Sequence, residues 1–144
     1  MKKKKILSII IISLTAFIIT YFALSIINSD KNTFEDRWDI ELPRNTKVNK
    51  IYSDIGFFGE GYRIIKLETD ENDVEKLGFK FSNYQKGEER FQELANQILE
   101  KSKLDTNKND LQYIGTQENG QEARTLIFTY NEKENCYYLF EENL

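Results

Sequence analysis

The chain has no histidine and only one each of cysteine, proline, methionine and tryptophan. Without histidine there is no imidazole base, no Ser-His-Asp relay and no His-ligated zinc. A single cysteine cannot bridge within the chain or build a Cys-rich metal site. Cys136 lies in an apolar run and reads as a small core residue rather than a reactive thiol. Acidic residues are missing before Asp30, and all 24 lie from there onward. Sixteen of the 20 basic residues share that part, which therefore carries −8. Such a balance argues against nucleic acid, whose phosphates need a positive surface, and against polybasic adhesion to anionic lipid. It leaves either a solvated acidic surface or an acidic patch for a basic partner.

Charge is missing most conspicuously from Ile6 to Ile27, 22 residues with nine Ile, three Leu and two Phe. As a helix rising about 1.5 Å per residue, this run reaches roughly 33 Å, enough for a hydrocarbon core about 30 Å thick. Its Ser and Thr residues are expected to bond back to carbonyls one turn earlier. Lys2 to Lys5 precede it directly, and cations beside a span are retained on the cytoplasmic side. The expected organisation is a cytoplasmic tail (1–5), a transmembrane helix (6–27), a juxtamembrane connector (28–43) and an extracytoplasmic domain (44–144). A cleaved secretory signal is the alternative, with Ala23-Leu24-Ser25 as the small-residue site.

In the connector, Phe34 and Trp38 stand four apart and share a face if helical, either as an interfacial anchor or as a lid on the domain core. Pro43 ends it. Strands are expected over 47–55 and 62–69, joined by Gly56-Phe57-Phe58-Gly59-Glu60-Gly61, whose glycines permit an irregular turn. Asp70 to Gly78 reads as one short helix capped by Asp70 or Asn72. Phe91, Leu94, Ala95, Ile98 and Leu99 fall on one stripe of a helix over 87–103. Three further strands, 111–116, 124–130 and 136–141, form a meander with an Asn119-Gly120 turn. The fold class is α+β: a transmembrane helix, then a small antiparallel sheet of about five strands packed on one long helix.

Two segments, Tyr52-Ser53-Asp54-Ile55-Gly56-Phe57-Phe58-Gly59-Glu60-Gly61 and the hairpin ending in Tyr137-Tyr138-Leu139-Phe140-Glu141, are read together. The pair resembles a group of small membrane-anchored or secreted proteins of Gram-positive bacteria. Those proteins combine an Asp-x-x-Gly-Phe-x-Gly-Asp-Gly-like turn with a C-terminal Tyr-Tyr hairpin. Glu60 stands where that pattern has Asp. The resemblance implies topology; it implies no activity, cofactor or partner.

The glycine loop lacks the Gly-Lys-Ser/Thr ending of a phosphate cradle and joins two strands. Asp105-x-Asn107-x-Asn109 opens like a calcium loop, but Asp110 takes the glycine position and Thr116 the bidentate glutamate position. Paired carboxylates are abundant everywhere, with little room for a sugar cleft. No catalytic residue, metal or cofactor is expected. The expected function is a membrane-held, non-enzymatic binding or immunity-type module with a protein partner. Its expected contact surface is the hairpin tip, Phe57, Phe58, Glu60 and Tyr62, since aromatics beside glycines fold inward or mark a contact. A small enzyme or a calcium-dependent module is the alternative.

Overall fold

The computed structural model describes the chain except residues 1, 58, 72, 82–86 and 120–122, and except the side chains of 2–10 and 26–29. Its first helix, α1, runs unbroken from Lys2 to Trp38. Part of it, Ile11–Trp38, is long and apolar enough to cross a membrane, and its apolar section is not buried by the rest of the protein. Thr15 and Thr20 donate their hydroxyls to the carbonyls of Ile11 and Ala16, at 2.8 and 2.9 Å, which satisfies those groups within the helix. Asp39, at φ 51°, ends α1 in the left-handed region.

The sheet contains β1 (Lys47–Ser53), β2 (Gly61–Glu68), β3 (Leu111–Asn119), β4 (Arg124–Asn131) and β5 (Cys136–Asn143). The order is β1-β2-β5-β4-β3, and every pair is antiparallel. The chain is therefore α+β. Hairpin and meander join through β2 and β5, which makes β5 the central strand. That explains its composition: residues 136–142 are all buried, so Cys136 to Phe140 must be apolar on both faces.

Each face has its own cover. On one, α2 (Gly87–Ser102) lays Phe91, Leu94, Ala95, Ile98 and Leu99 against Ile64, Ile127, Tyr138 and Phe140. Gly87 begins α2 where a side chain would not fit: a Cβ there would lie 2.6 Å from Thr116 Oγ1. On the other, the last two turns of α1 bring Phe34 and Trp38 onto Ile65, Leu67, Phe128 and Leu139. Phe34 is 1% and Trp38 3% exposed. The segment read as a connector is thus helical as far as Trp38, and its aromatics belong to the core. Phe79 and Phe81 complete this layer, with Phe79 4.6 Å and Phe81 5.6 Å from the Phe128 ring centroid.

Between the covers the helix expected over 70–78 is reduced to one 3-10 turn, Val74–Leu77. Asp73 caps it by accepting from Glu75 N–H, and Gly78 at φ 83° stops it. Asp70 instead accepts from the Asn45 side-chain amide at 2.8 Å. Asn72 and the turn at Gly120 lie outside the described residues, and β3 extends through Asn119.

A polar network closes the end of the α2 face. Glu134 accepts from Lys66 Nζ at 2.8 Å, from Tyr138 OH at 2.9 Å and from Thr106 Oγ1 at 3.2 Å. The Lys66 hydrogen bond holds the Glu134 carboxyl below its ordinary value, and the same bond raises Lys66. A depressed carboxylate adds stability that is complete above its unfolded value of 4.5 and is lost as pH falls through the folded value. The pair is solvent-screened, so its contribution is at most about 1 kcal/mol. Glu134→Gln should therefore lower the urea midpoint at neutral pH, with the difference closing below the carboxylate range. A difference of the same size in strong acid would show that Glu134 acts through packing alone.

Candidate functional site

The β1–β2 connection is built to hold one shape. Asp54 N–H donates to Tyr62 O at 3.0 Å, and Asp54 Oδ1 accepts from Tyr62 N–H at 2.7 Å. Inside that pair, Gly56 N–H donates to Glu60 O at 2.7 Å and Gly59 N–H to Gly56 O at 3.1 Å. Asn143, at the end of β5, donates its side-chain amide to Gly59 O at 3.0 Å, tying the loop to the sheet. Gly61, at φ 133°, is required: a Cβ there would lie 2.6 Å from Asp54 O.

This frame displays Phe57, which is 97% exposed. Glu60 is also exposed, while Phe58 lies outside the described residues. Tyr62 is half-buried and packs at the margin of the α2 core, so it supports the loop rather than presenting itself.

Tyr62 begins a row that runs across the same end of the sheet. It pairs with Glu142 on β5, which pairs with Thr125 on β4, which pairs with Glu118 on β3. At about 4.8 Å per strand, the row covers roughly 14 Å. Above it, the first turns of α2 contribute Glu89, Arg90 and Glu93. These six residues other than Tyr62 line a cleft of about 450 Å³. Its floor is Glu142, buried and gripped by two nitrogens of Arg90, one of them Nε at 3.2 Å. Arg90 also donates to Glu93 at 2.9 Å. The carboxylate partner raises the Arg90 guanidinium further, so it stays charged. Among the described residues one cation thus faces four carboxylates, and this lining is acidic.

No family model, curated protein or solved structure matches this chain. Its own residues carry the functional argument. In the loop a single residue, Ile55, separates Asp54 from Gly56, one fewer than in the Gram-positive turn pattern.

The other sequence candidates resolve into structural roles. Asn107 Oδ1 accepts from Asn109 N–H at 2.9 Å, capping a short 3-10 turn over Lys108–Asp110. Among the described residues, no group of three or more His, Cys, Asp or Glu is placed to hold a metal. Cys136 is buried, and burial pushes its thiol up, away from the reactive thiolate. Sequence reasoning found the loop and missed the cleft. Glu89, Glu93, Glu118 and Glu142 are scattered over three elements, and only the β2–β5–β4–β3 register gathers them.

Proposed function

We propose that this chain is a single-pass membrane protein, N-terminus in and C-terminus out, whose outer domain is a non-enzymatic recognition module for a protein partner. The observation that carries this reading is Phe57, 97% exposed at the apex of a loop fixed by hydrogen bonds. A large aromatic on a loop whose backbone is already fixed by hydrogen bonds requires little further ordering of the chain on binding and gains its whole apolar burial. The acidic cleft at the same end of the sheet favours a partner with basic groups beside an apolar pocket. The run from Ile6 to Ile27 and the Lys2–Lys5 tail support the placement.

The test is co-purification of the intact protein from lightly crosslinked membranes. Phe57→Ala should reduce capture of the partner by about 30-fold or more, the effect of losing an anchor worth about 2 kcal/mol. The thermal midpoint of the domain should move little, because the residue is 97% exposed. Undiminished capture by a folded Phe57→Ala protein would remove the loop from the interface.

A further inference from the structure

The outer domain is acidic overall, yet one edge of it is basic. From Pro43 to Tyr52 the sequence holds Arg44, Lys47 and Lys50 and no acid. All three cations are exposed, and none enters an ion pair among the described residues. A cleft of about 300 Å³ on this edge is walled by Lys31, Arg44, Asn45, Lys47 and Asn49, with no carboxylate. Four acids around it are each engaged, Asp30 by the Lys50 backbone N–H at 3.4 Å among them. Glu35 faces Lys31 at 3.8 Å, Glu68 faces Lys66 at 3.7 Å, and Asp70 holds the Asn45 amide.

The position of this edge along α1 is fixed by two contacts. Lys31 Nζ donates to Pro43 O at 2.7 Å, and Asp30 Oδ2 accepts from Lys50 N–H at 3.4 Å. The edge is therefore level with residues 30 and 31 of an unbroken helix. The apolar run ends at Ile27, three to four residues earlier, which is about 5–6 Å along the axis. The headgroup layer on each side of a bilayer is about 5–7 Å deep. Arg44, Lys47 and Lys50 thus stand at headgroup depth, while the Phe57 loop sits at the other end of β1.

We propose that the Pro43–Lys50 edge docks on anionic phospholipid headgroups of the membrane that α1 crosses. This rests on the reading of α1 as a span. Cations at that depth are attracted by the negative surface of a leaflet, and the open cleft leaves room for a phosphate between Arg44 and Lys47. Lysines on an edge strand also deter pairing with other strands. That role does not call for Arg44, which lies outside β1.

The test uses the full chain reconstituted in mixed vesicles with spin-labelled phosphatidylglycerol or phosphatidylcholine. The population of motionally restricted lipid gives the preference for the anionic headgroup. Lys2→Gln, Lys3→Gln, Lys4→Gln and Lys5→Gln form the background, so that the tail does not contribute. In that background the preference should be about threefold or more. Adding Arg44→Gln, Lys47→Gln and Lys50→Gln should bring it to parity. A preference unchanged by that neutralisation overturns the proposal. Should the neutralised protein fail to fold, salt decides: the background protein should lose its preference between about 0.1 M and about 1 M salt, as the screening length falls from about 10 Å to about 3 Å. A preference that survives high salt overturns the proposal. Extraction of the protein by alkaline carbonate would overturn the span reading, and the docking with it. An inserted protein without lipid preference would overturn the docking alone.

Discussion

Cut at residue 44, the outer domain is expected to be unfolded; cut at residue 29, it is expected to fold. The difference lies in what residues 30–43 cover. Phe34, Trp38 and Leu42 are 1%, 3% and 4% exposed, and with Leu77, Phe79 and Phe81 they form the cover over one face of the sheet. Removing a buried Phe or Trp costs about 3–5 kcal/mol and a buried Leu about 2–5 kcal/mol. A whole domain of this size is stable by only about 5–15 kcal/mol. Deleting all three, with the Glu35 carboxylate that accepts from Leu42 N–H at 2.8 Å, removes most of that margin. Far-UV circular dichroism and urea titration of the two fragments make the check. A cooperative transition in the shorter fragment, within about 1 kcal/mol of the longer one, would mean that α1 is an ornament on a self-sufficient sheet.

Glu141→Ala should be nearly as damaging. Glu141 is fully buried on β5, facing α1. Arg37 of α1 reaches it at 2.6 Å, Arg63 of β2 at 2.5 Å, and the Trp38 indole N–H lies 3.5 Å away. Both guanidiniums are mostly enclosed, at 15% and 18% side-chain exposure. Removing the carboxylate leaves two cations facing each other without their shared counter-charge, a loss of about 3–5 kcal/mol. Breaking the cluster from all sides is milder. The triple replacement Arg37→Met, Arg63→Met, Glu141→Met should recover much of that loss, because no desolvated charge remains. Urea unfolding of the full chain in detergent compares the two. A single variant no less stable than the triple one would show that the cluster is solvated and adds little.

Much of this architecture was legible in the primary structure. Alternation within β2, β4 and β5 separates Ile65 from Ile64, Leu126 from Ile127 and Leu139 from Phe140; the pairing of the strands then gathers Ile65, Leu126 and Leu139 on one face and the others on the opposite face. The stripe of α2 and the stop at Gly78 follow from local chemistry alone. What was not legible depends on partners distant in sequence. Nothing within 61–68 or 136–143 says that these two strands pair. Once they do, Glu141 is enclosed and Arg37 and Arg63 acquire their purpose. Where a helix is expected over 70–78, Asp70 accepts from the distant Asn45 side chain and Asp73 caps the single 3-10 turn that remains. At the site, the glycines of the loop announced a turn. The outward direction of Phe57 rests on the turn's own hydrogen bonds, and the acidic cleft on strand register, so no window of sequence held either.

The absence of any break between Lys2 and Trp38 has a consequence for how a partner is met. A domain on a slack tether explores a hemisphere above its membrane. In the proposed arrangement, where α1 spans a bilayer and is clamped to β5 through Arg37 and Glu141, the domain has no hinge there. Its remaining freedoms are lateral drift and rotation about the helix axis, so Phe57 sweeps a ring at one altitude. An opposing surface need only match that altitude and wait for the right azimuth. Encounter becomes a planar search, and length inserted between Ile27 and Asp30 becomes the dial that sets which partners are within reach.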